Sequence, residues 1–225
     1  MPSPKKLHIY LLAFILTMGA CAVFAQQEDI QDGTIFDDKR LLEGYAKKYA
    51  DKNKEILFEI IKDDNLNHYK MAAAVRVFRE KYSQDVFSRE KIIFIKYLLR
   101  RLNRTDSPFV QIETMATLTQ MNRYKYFKTM VPDMILKLDH YNDVVNEVAF
   151  ENLDQIIKSG SNRPTEARIV FNTLRKVLFL SRKHLAEIDE PDTKLKNKLT
   201  ILRWSIKVLG SQELRRLPKE VISLL

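Results

Sequence analysis

Two places in the sequence bring histidine and aspartate close together, and both side chains can bind metals or transfer protons. Asp63 and Asp64 precede His68 by a few residues, and Asp139 stands beside His140. A metal site on a helix typically uses two histidines on one face, and the chain has no such His-x-x-x-His spacing. Carboxylates at the start of a helix usually cap unpaired backbone amides. We therefore predict turns and helix starts at both places, with no metal and no cofactor.

A further acidic cluster lacks the pattern of a calcium-binding loop. It contains Glu187, Asp189, Glu190 and Asp192. An EF-hand loop requires a central glycine and a closing glutamate, and here Pro191 and Lys194 interrupt the cluster. The 5 glycines of the chain are scattered, whereas a phosphate-binding loop needs them together. The sequence thus offers no catalytic residue, and we expect a protein that is not an enzyme.

Basic residues form larger clusters than acidic ones, in keeping with a formal net charge of +9. A candidate anion-binding face consists of Lys96, Arg100, Arg101, Arg104, Arg123, Lys125 and Lys128. Tyr124 and Tyr126 lie among them, and aromatic rings between basic residues can stack on nucleic-acid bases. The same rings also suit the core of a helical protein, with the basic residues on its solvated side. Both interpretations stay open at this stage.

The N-terminal segment, residues 1–25, has the layout of an export signal. Lys5 and Lys6 precede an apolar stretch, and small residues follow it. The bond between Ala25 and Gln26 resembles an ordinary signal-peptidase site. The sequence MGAC, which ends at Cys21, resembles a bacterial lipobox, whose cysteine accepts a lipid. Cleavage before Gln26, lipidation of Cys21 and an uncleaved anchor are the three outcomes that the segment permits.

Cysteine usage bears on the compartment of the mature protein. Cys21 is the sole cysteine, so a chain that starts at Gln26 has no disulfide and depends on core packing. This favours the periplasm or cell envelope of a bacterium, with anchoring to the membrane in the case of a lipidated Cys21. Export argues against nucleic acid as a partner and leaves lipid headgroups or acidic polymers as anionic ones.

Hydrophobic spacing predicts that nearly all of the chain from residue 38 to residue 225 is helical. Leu41, Leu42, Tyr45 and Tyr49 recur at intervals of three or four residues, and prolines and capping residues separate the later helical segments. Residues 26–37 are acidic and without helical period, which predicts a flexible tail. Ten helices are expected, at 38–51, 53–62, 67–82, 88–103, 107–121, 124–139 broken near Pro132, 142–159, 164–188, 193–209 and 212–225 broken near Pro218.

Four of these helices begin in the same way. Tyr69, Val110, Val145 and Leu195 are each followed, four residues later, by Ala73, Thr114, Ala149 and Leu199, at intervals of 41, 35 and 50 residues between anchors. This is close to the two-helix unit of HEAT and armadillo arrays. Residues from about 53 to 225 resemble a degenerate HEAT-repeat α-solenoid. The resemblance implies an all-α fold of stacked antiparallel hairpins, to which a compact helical bundle is the alternative.

The resemblance and the export signal together imply a function. Stacked helix pairs present an extended surface that binds another protein without a reactive group. We expect a non-enzymatic binding or scaffolding module of the bacterial cell envelope, with another envelope protein or a peptide as its partner. The alternative is a basic protein or lipoprotein that binds a membrane surface or an anionic polymer. The partner, the binding face and the oligomeric state stay open.

Overall fold

The computed structural model describes residues 35–84, 86, 88–122, 127–158, 163–188 and 190–225. Within these ranges the regular structure is entirely helical, which confirms the predicted all-α class. The chain divides into two compact units, Met1–Lys39 and Arg40–Leu225, the first of which is described from residue 35 onward. Cys21, Ala25 and Gln26 lie outside the described residues, so the predictions for them are not addressed by the structure.

The described helices follow the predicted order along the chain. They are α1 (Ile35–Tyr49), α2 (Lys54–Lys62), α3 (His68–Tyr82), α4 (Ser88–Arg104), α5 (Pro108–Asn122), α6 (Phe127–Leu136), α7 (Asp143–Lys158), α8 (Pro164–Leu180), α9 (Arg182–Leu185), α10 (Thr193–Leu209) and α11 (Lys219–Ile222). Two 3-10 helices, Lys137–Asp139 and Ser211–Arg216, follow α6 and α10. The first helix begins three residues before its predicted start at residue 38.

Local capping explains where several helices begin. The Asn53 and Asn67 side chains accept hydrogen bonds from the backbone amides of Ile56 and Tyr69, each at 2.9 Å. Asp192 does the same for Leu195 at 2.7 Å, at the predicted start of α10. These side chains satisfy amides that have no partner inside the helix. At the other end of α10, Gly210 has a φ of 102°, which favours glycine at a helix terminus.

Besides the start of α1, three predicted helices differ from the structure. Where a helix 212–225 broken near Pro218 was predicted, the chain forms the 3-10 helix Ser211–Arg216 and, after Pro218, the four-residue α11. The break near Pro132 was wrong, because α6 runs through that residue as one helix. Proline removes a single hydrogen bond there, to the carbonyl of Lys128, while the buried side chains of α6 hold the helix in place. The predicted helix 164–188 instead stops at Ser181, whose hydroxyl donates to the Val177 carbonyl at 3.4 Å. Such a bond competes with the helical pattern of the backbone.

The helices of the second unit pack in two rows. In the first row, α3, α5, α7 and α10 contact one another in that order. In the second row, α2, α4, α6 and α8 do the same. Contacts between the rows pair α2 with α3, α4 with α5, α6 with α7 and α8 with α10. The four helices that begin with the sequence repeat are those of the first row.

Residues of the repeat lie in the core where the first-row helices meet. Val110, Val145 and Leu195 are buried, and so are the residues four positions after each anchor, Ala73, Thr114, Ala149 and Leu199. Helix α5 is buried on most sides because α3, α4 and α7 surround it. Two of its buried threonines bond to the backbone of the same helix: the Thr117 hydroxyl donates to the Glu113 carbonyl at 2.7 Å, and the Thr119 hydroxyl donates to the Met115 carbonyl at 3.0 Å. A threonine satisfied in this way can be placed in an apolar environment.

Candidate functional site

The structure places most of the predicted anion-binding face on one helix. Lys96, Arg100, Arg101 and Arg104 belong to α4, and Lys128 lies exposed in the first turn of α6. Arg123 and Lys125, the other two members, lie outside the described residues. The five described residues therefore divide between two neighbouring helices of the second row.

Two of these arginines have structural partners. Arg100 forms an ion pair with Asp64, and Nη1 of Arg101 lies 2.8 Å from the other carboxylate oxygen of the same residue. Arg101 also donates from Nε and Nη2 to the Ile61 carbonyl, at 3.3 and 3.2 Å. That carbonyl belongs to the last turn of α2, where a cation is favourable. Arg101 therefore fastens α4 to the end of α2, and its charge is largely used inside the fold.

The exposed side of α4 contains residues that the sequence analysis did not include. Arg89, Ile92 and Ile93 lie on the same side as Lys96 and Arg100, because these positions are three, four or seven residues apart. Ile92 and Ile93 are 41% and 49% exposed. Lys96 is exposed, with no ion pair among the described residues. Helical spacing alone could have revealed this mixed basic and apolar face. We call these five residues the α4 face.

A small cavity lies at the end of α4. It has a volume of about 270 Å³ and is lined by Asp64, His68, Arg101, Arg104 and Thr105, with apolar residues behind them. Asp64 and His68, for which the sequence predicted a structural role and no metal, both line this cavity. Two arginines share the space, and the carboxylate is already paired. Among the described residues no group of three or more potential metal ligands occurs.

A larger groove opens between α7 and α10, neighbours in the first row. Its volume is about 550 Å³, and its polar lining includes Asp143, Asn146, Glu147, Asp192, Lys194 and Asn197. Three carboxylates face one lysine, so the lining has a net charge of −2. Phe150 adds an aromatic surface. We call this space the α7–α10 groove.

Hydrogen bonds hold the polar groups of the α7–α10 groove in place. Asn146 is only 3% exposed; its amide donates to the Leu138 carbonyl and its oxygen accepts from Asn197 at 3.4 Å. The Lys194 ammonium group lies 3.0 Å from Asp143 and donates to the His140 carbonyl at 2.9 Å. The lysine is thereby held against the groove lining. Glu147 is an exposed carboxylate of the lining, as are Asp143 and Asp192.

His140, which precedes the groove residues of α7, has a structural role. Burial lowers the pKa of His140, and the positive charge of Lys137 lowers it further. Its Nδ1 accepts a hydrogen bond from the Asn142 amide at 3.1 Å, which requires the neutral ring. Asp139, the other predicted member of this pair, bonds to the buried Lys198. Both side chains therefore order the turn before α7, as the sequence pattern predicted.

Comparison with models of protein families, with curated proteins and with solved structures finds no match to this chain. Within the ranges that the structure describes, no helix combines the length and the apolar composition that crossing a bilayer requires. The features that bear on function are therefore the geometry of the groove and of the α4 face.

Proposed function

We propose that this protein is an exported, non-enzymatic binding module of the bacterial cell envelope, built as a short α-solenoid. The packing order supports a solenoid, because each first-row helix contacts the next one along the row and its partner in the second row. An array of this kind offers an extended surface between successive helices. The layout of residues 1–25 supports export.

The α7–α10 groove is the observation on which the binding function mainly depends. It is open, polar and acidic, and its amides are held in fixed positions by hydrogen bonds. Fixed polar groups lose little freedom on binding, which favours affinity. The charge of the groove favours a positively charged segment of a partner protein, with a Lys or Arg side chain near Glu147. The binding site lies between two repeats, and we assign no reaction to it.

A second candidate function is binding to an anionic membrane surface, and the α4 face supports it. Exposed isoleucines between basic residues are unusual on a face that only contacts water, where charged and polar residues are expected. The two functions are compatible, because the groove belongs to the first row and the α4 face to the second row.

Export is tested by the intact mass of the native protein recovered from cell fractions. We expect a chain that begins at Gln26, allowing for pyroglutamate, in the fraction released with envelope proteins. A mass that corresponds to acylated Cys21 would make the protein a membrane-anchored lipoprotein. An unprocessed chain recovered from the cytoplasm would contradict the export proposal.

The groove is tested by photo-crosslinking in living cells. A photoreactive amino acid at Thr193, which lines the groove, is expected to capture a partner, and Thr193 is exposed. Thr200, exposed on the same helix two turns later, is the matched control position. Glu147→Lys should lower the yield of the adduct at Thr193 about tenfold or more, because it places a like charge against a basic partner.

Two results would contradict the groove proposal. One is equal capture of the same partner from Thr193 and Thr200. The other is an adduct at Thr193 that Glu147→Lys leaves unchanged. Far-UV circular dichroism of the Glu147→Lys variant is the control for folding, and we expect no change because the side chain is exposed.

A further inference from the structure

Helix α4 has the strongest charge imbalance among the helices of the second row. Its 17 residues include six basic residues and one acidic residue, a net charge of +5. The acidic residue, Glu90, lies 3.2 Å from Lys54 of α2 and is thereby neutralised. The side of α4 that packs into the protein is apolar, with Phe94, Ile95 and Leu98 buried. Lys91 and Arg101 are partly buried and donate to the carbonyls of Met121 and Ile61. The other four basic residues are exposed: Arg89, Lys96, Arg100 and Arg104.

The α4 face combines cations with apolar side chains. Ile92 and Ile93 lie between Arg89 on one side and Lys96 on the other along the helix. Their exposure leaves apolar surface in water, although the same helix buries other apolar residues completely. A basic patch selected for solubility alone has no need of two adjacent isoleucines, so their presence points to a surface that accepts both charge and apolar groups.

The neighbouring helices α2 and α6 add exposed apolar residues but no net charge, because each contains equal numbers of basic and acidic residues. Helix α2 exposes Ile56, which is 45% accessible, and α6 exposes Lys128 and Leu136. The acidic groups in this part of the surface are partly neutralised: Glu59 pairs with Lys62 at 2.6 Å, and Asp64 pairs with Arg100. Glu55 is the remaining exposed carboxylate of α2. The patch as a whole stays basic and partly apolar.

We propose that the α4 face docks on the surface of an anionic phospholipid bilayer. Arg89 and Lys96 would contact lipid phosphates, and Ile92 and Ile93 would enter the boundary between headgroups and acyl chains. Each basic residue near a membrane adds favourable attraction to anionic lipid. Apolar groups between them add shallow insertion, and the basic side chains can extend their charged ends to the interface.

This inference rests on the second candidate function and is independent of the α7–α10 groove. Its test therefore uses a local probe on α4, which a membrane contact made by the N-terminal segment does not mimic. The probe is a tryptophan in place of Ile93, with Val144→Trp on α7 as the matched control; Val144 is 55% exposed and lies in the first row. Trp204, the only native tryptophan, gives the same background in both variants.

The measurement is fluorescence quenching by brominated lipid in vesicles of phosphatidylcholine and phosphatidylglycerol, at low salt. The fluorescence emission of the tryptophan at position 93 should shift to shorter wavelength and be quenched. The emission of the tryptophan at position 144 should change little. Both effects should disappear in about 1 M salt, where the screening length falls to about 3 Å, and in vesicles of phosphatidylcholine alone. Equal quenching at both positions, or none at position 93, would overturn the proposal.

Charge reversal separates electrostatic docking from apolar contact alone. In the Ile93→Trp protein, Arg89→Glu with Lys96→Glu should reduce vesicle affinity, read from the quenching, at least about tenfold. Lys196→Glu with Lys207→Glu makes the same charge change at exposed positions on α10. This double variant should keep the vesicle affinity within about twofold of that of the Ile93→Trp protein. An equal loss in both double variants would mean that net charge, rather than the α4 face, governs binding, and would overturn the proposal. Failure of this test leaves the result of the groove crosslinking unaffected.

Discussion

Glu113→Gln is expected to lower the free energy of unfolding by about 3 kcal/mol. The carboxylate is 4% exposed on α5, in the middle of the first row. Arg76 binds one of its oxygens through Nε and Nη2, at 2.8 and 2.6 Å, and Arg79 contacts the other at 2.7 Å. The glutamine would leave two guanidinium groups without their counter-charge. The expected loss lies at the lower end of the range of about 3–5 kcal/mol for breaking a buried ion pair, because both arginines keep some contact with water.

The stability of this Arg76–Glu113–Arg79 group is measured by urea unfolding followed by circular dichroism. Glu80→Gln, at an exposed position on α3, is the matched control and should change the unfolding free energy by less than about 0.5 kcal/mol. Replacing all three members of the group by apolar residues should recover much of the loss, since the uncompensated charges disappear with the carboxylate. Equal effects of Glu113→Gln and Glu80→Gln would show that the carboxylate is not held between the two arginines.

Helix positions were largely predictable because their determinants are local. A proline or a capping residue acts within a few positions of itself, and Pro108, Pro164 and Asp192 stand where their helices begin. Pro132 misled the prediction for the opposite reason. Its effect on α6 is outweighed by the packing of Val131, Met134 and their neighbours in the core, which depends on distant parts of the chain.

The surroundings of α5 were not predictable from its sequence. Its sequence is not amphipathic. A helix that is covered on most sides has no solvent-exposed face on which polar residues would collect. The buried Glu113 depends on arginines that are more than thirty residues earlier in the chain. No short-range pattern connects an acidic residue of one helix with the basic residues of another.

The candidate sites were predictable only in part, for a similar reason. Clusters of basic residues are visible in the sequence, but Arg100 and Arg101 acquire their roles from Asp64 in a different turn. The α7–α10 groove joins residues such as Asn146 and Asn197 that are fifty-one positions apart. The α4 face is different: its spacing is local, and a helical projection that includes the isoleucines as well as the cations would have identified it.

Phe94→Ala should lower the free energy of unfolding by about 3–5 kcal/mol, because it removes a fully buried aromatic ring. Phe94 is 1% exposed on α4, and its ring stacks on Phe78 of α3 with centroids 4.0 Å apart. Phe58 of α2 lies 5.2 Å away on another side. These rings already line a cavity of about 70 Å³, so the alanine would enlarge an existing void. Ile93→Ala, one position away and half exposed, should lose less than about 1 kcal/mol.

The helices in which Phe94→Ala accelerates hydrogen exchange would distinguish the proposed solenoid from a compact bundle. In a solenoid each repeat is stabilised by its neighbours, so a defect at Phe94 weakens mainly α2, α3 and α4. Hydrogen exchange read by mass spectrometry should then accelerate in these helices by about a hundredfold or more, which corresponds to about 3 kcal/mol. Exchange in α8 and α10, which contact none of the three directly in the packing order, should change less than about tenfold. In a compact bundle with one shared core, the same substitution would accelerate exchange in all five helices together, and that result would contradict the solenoid.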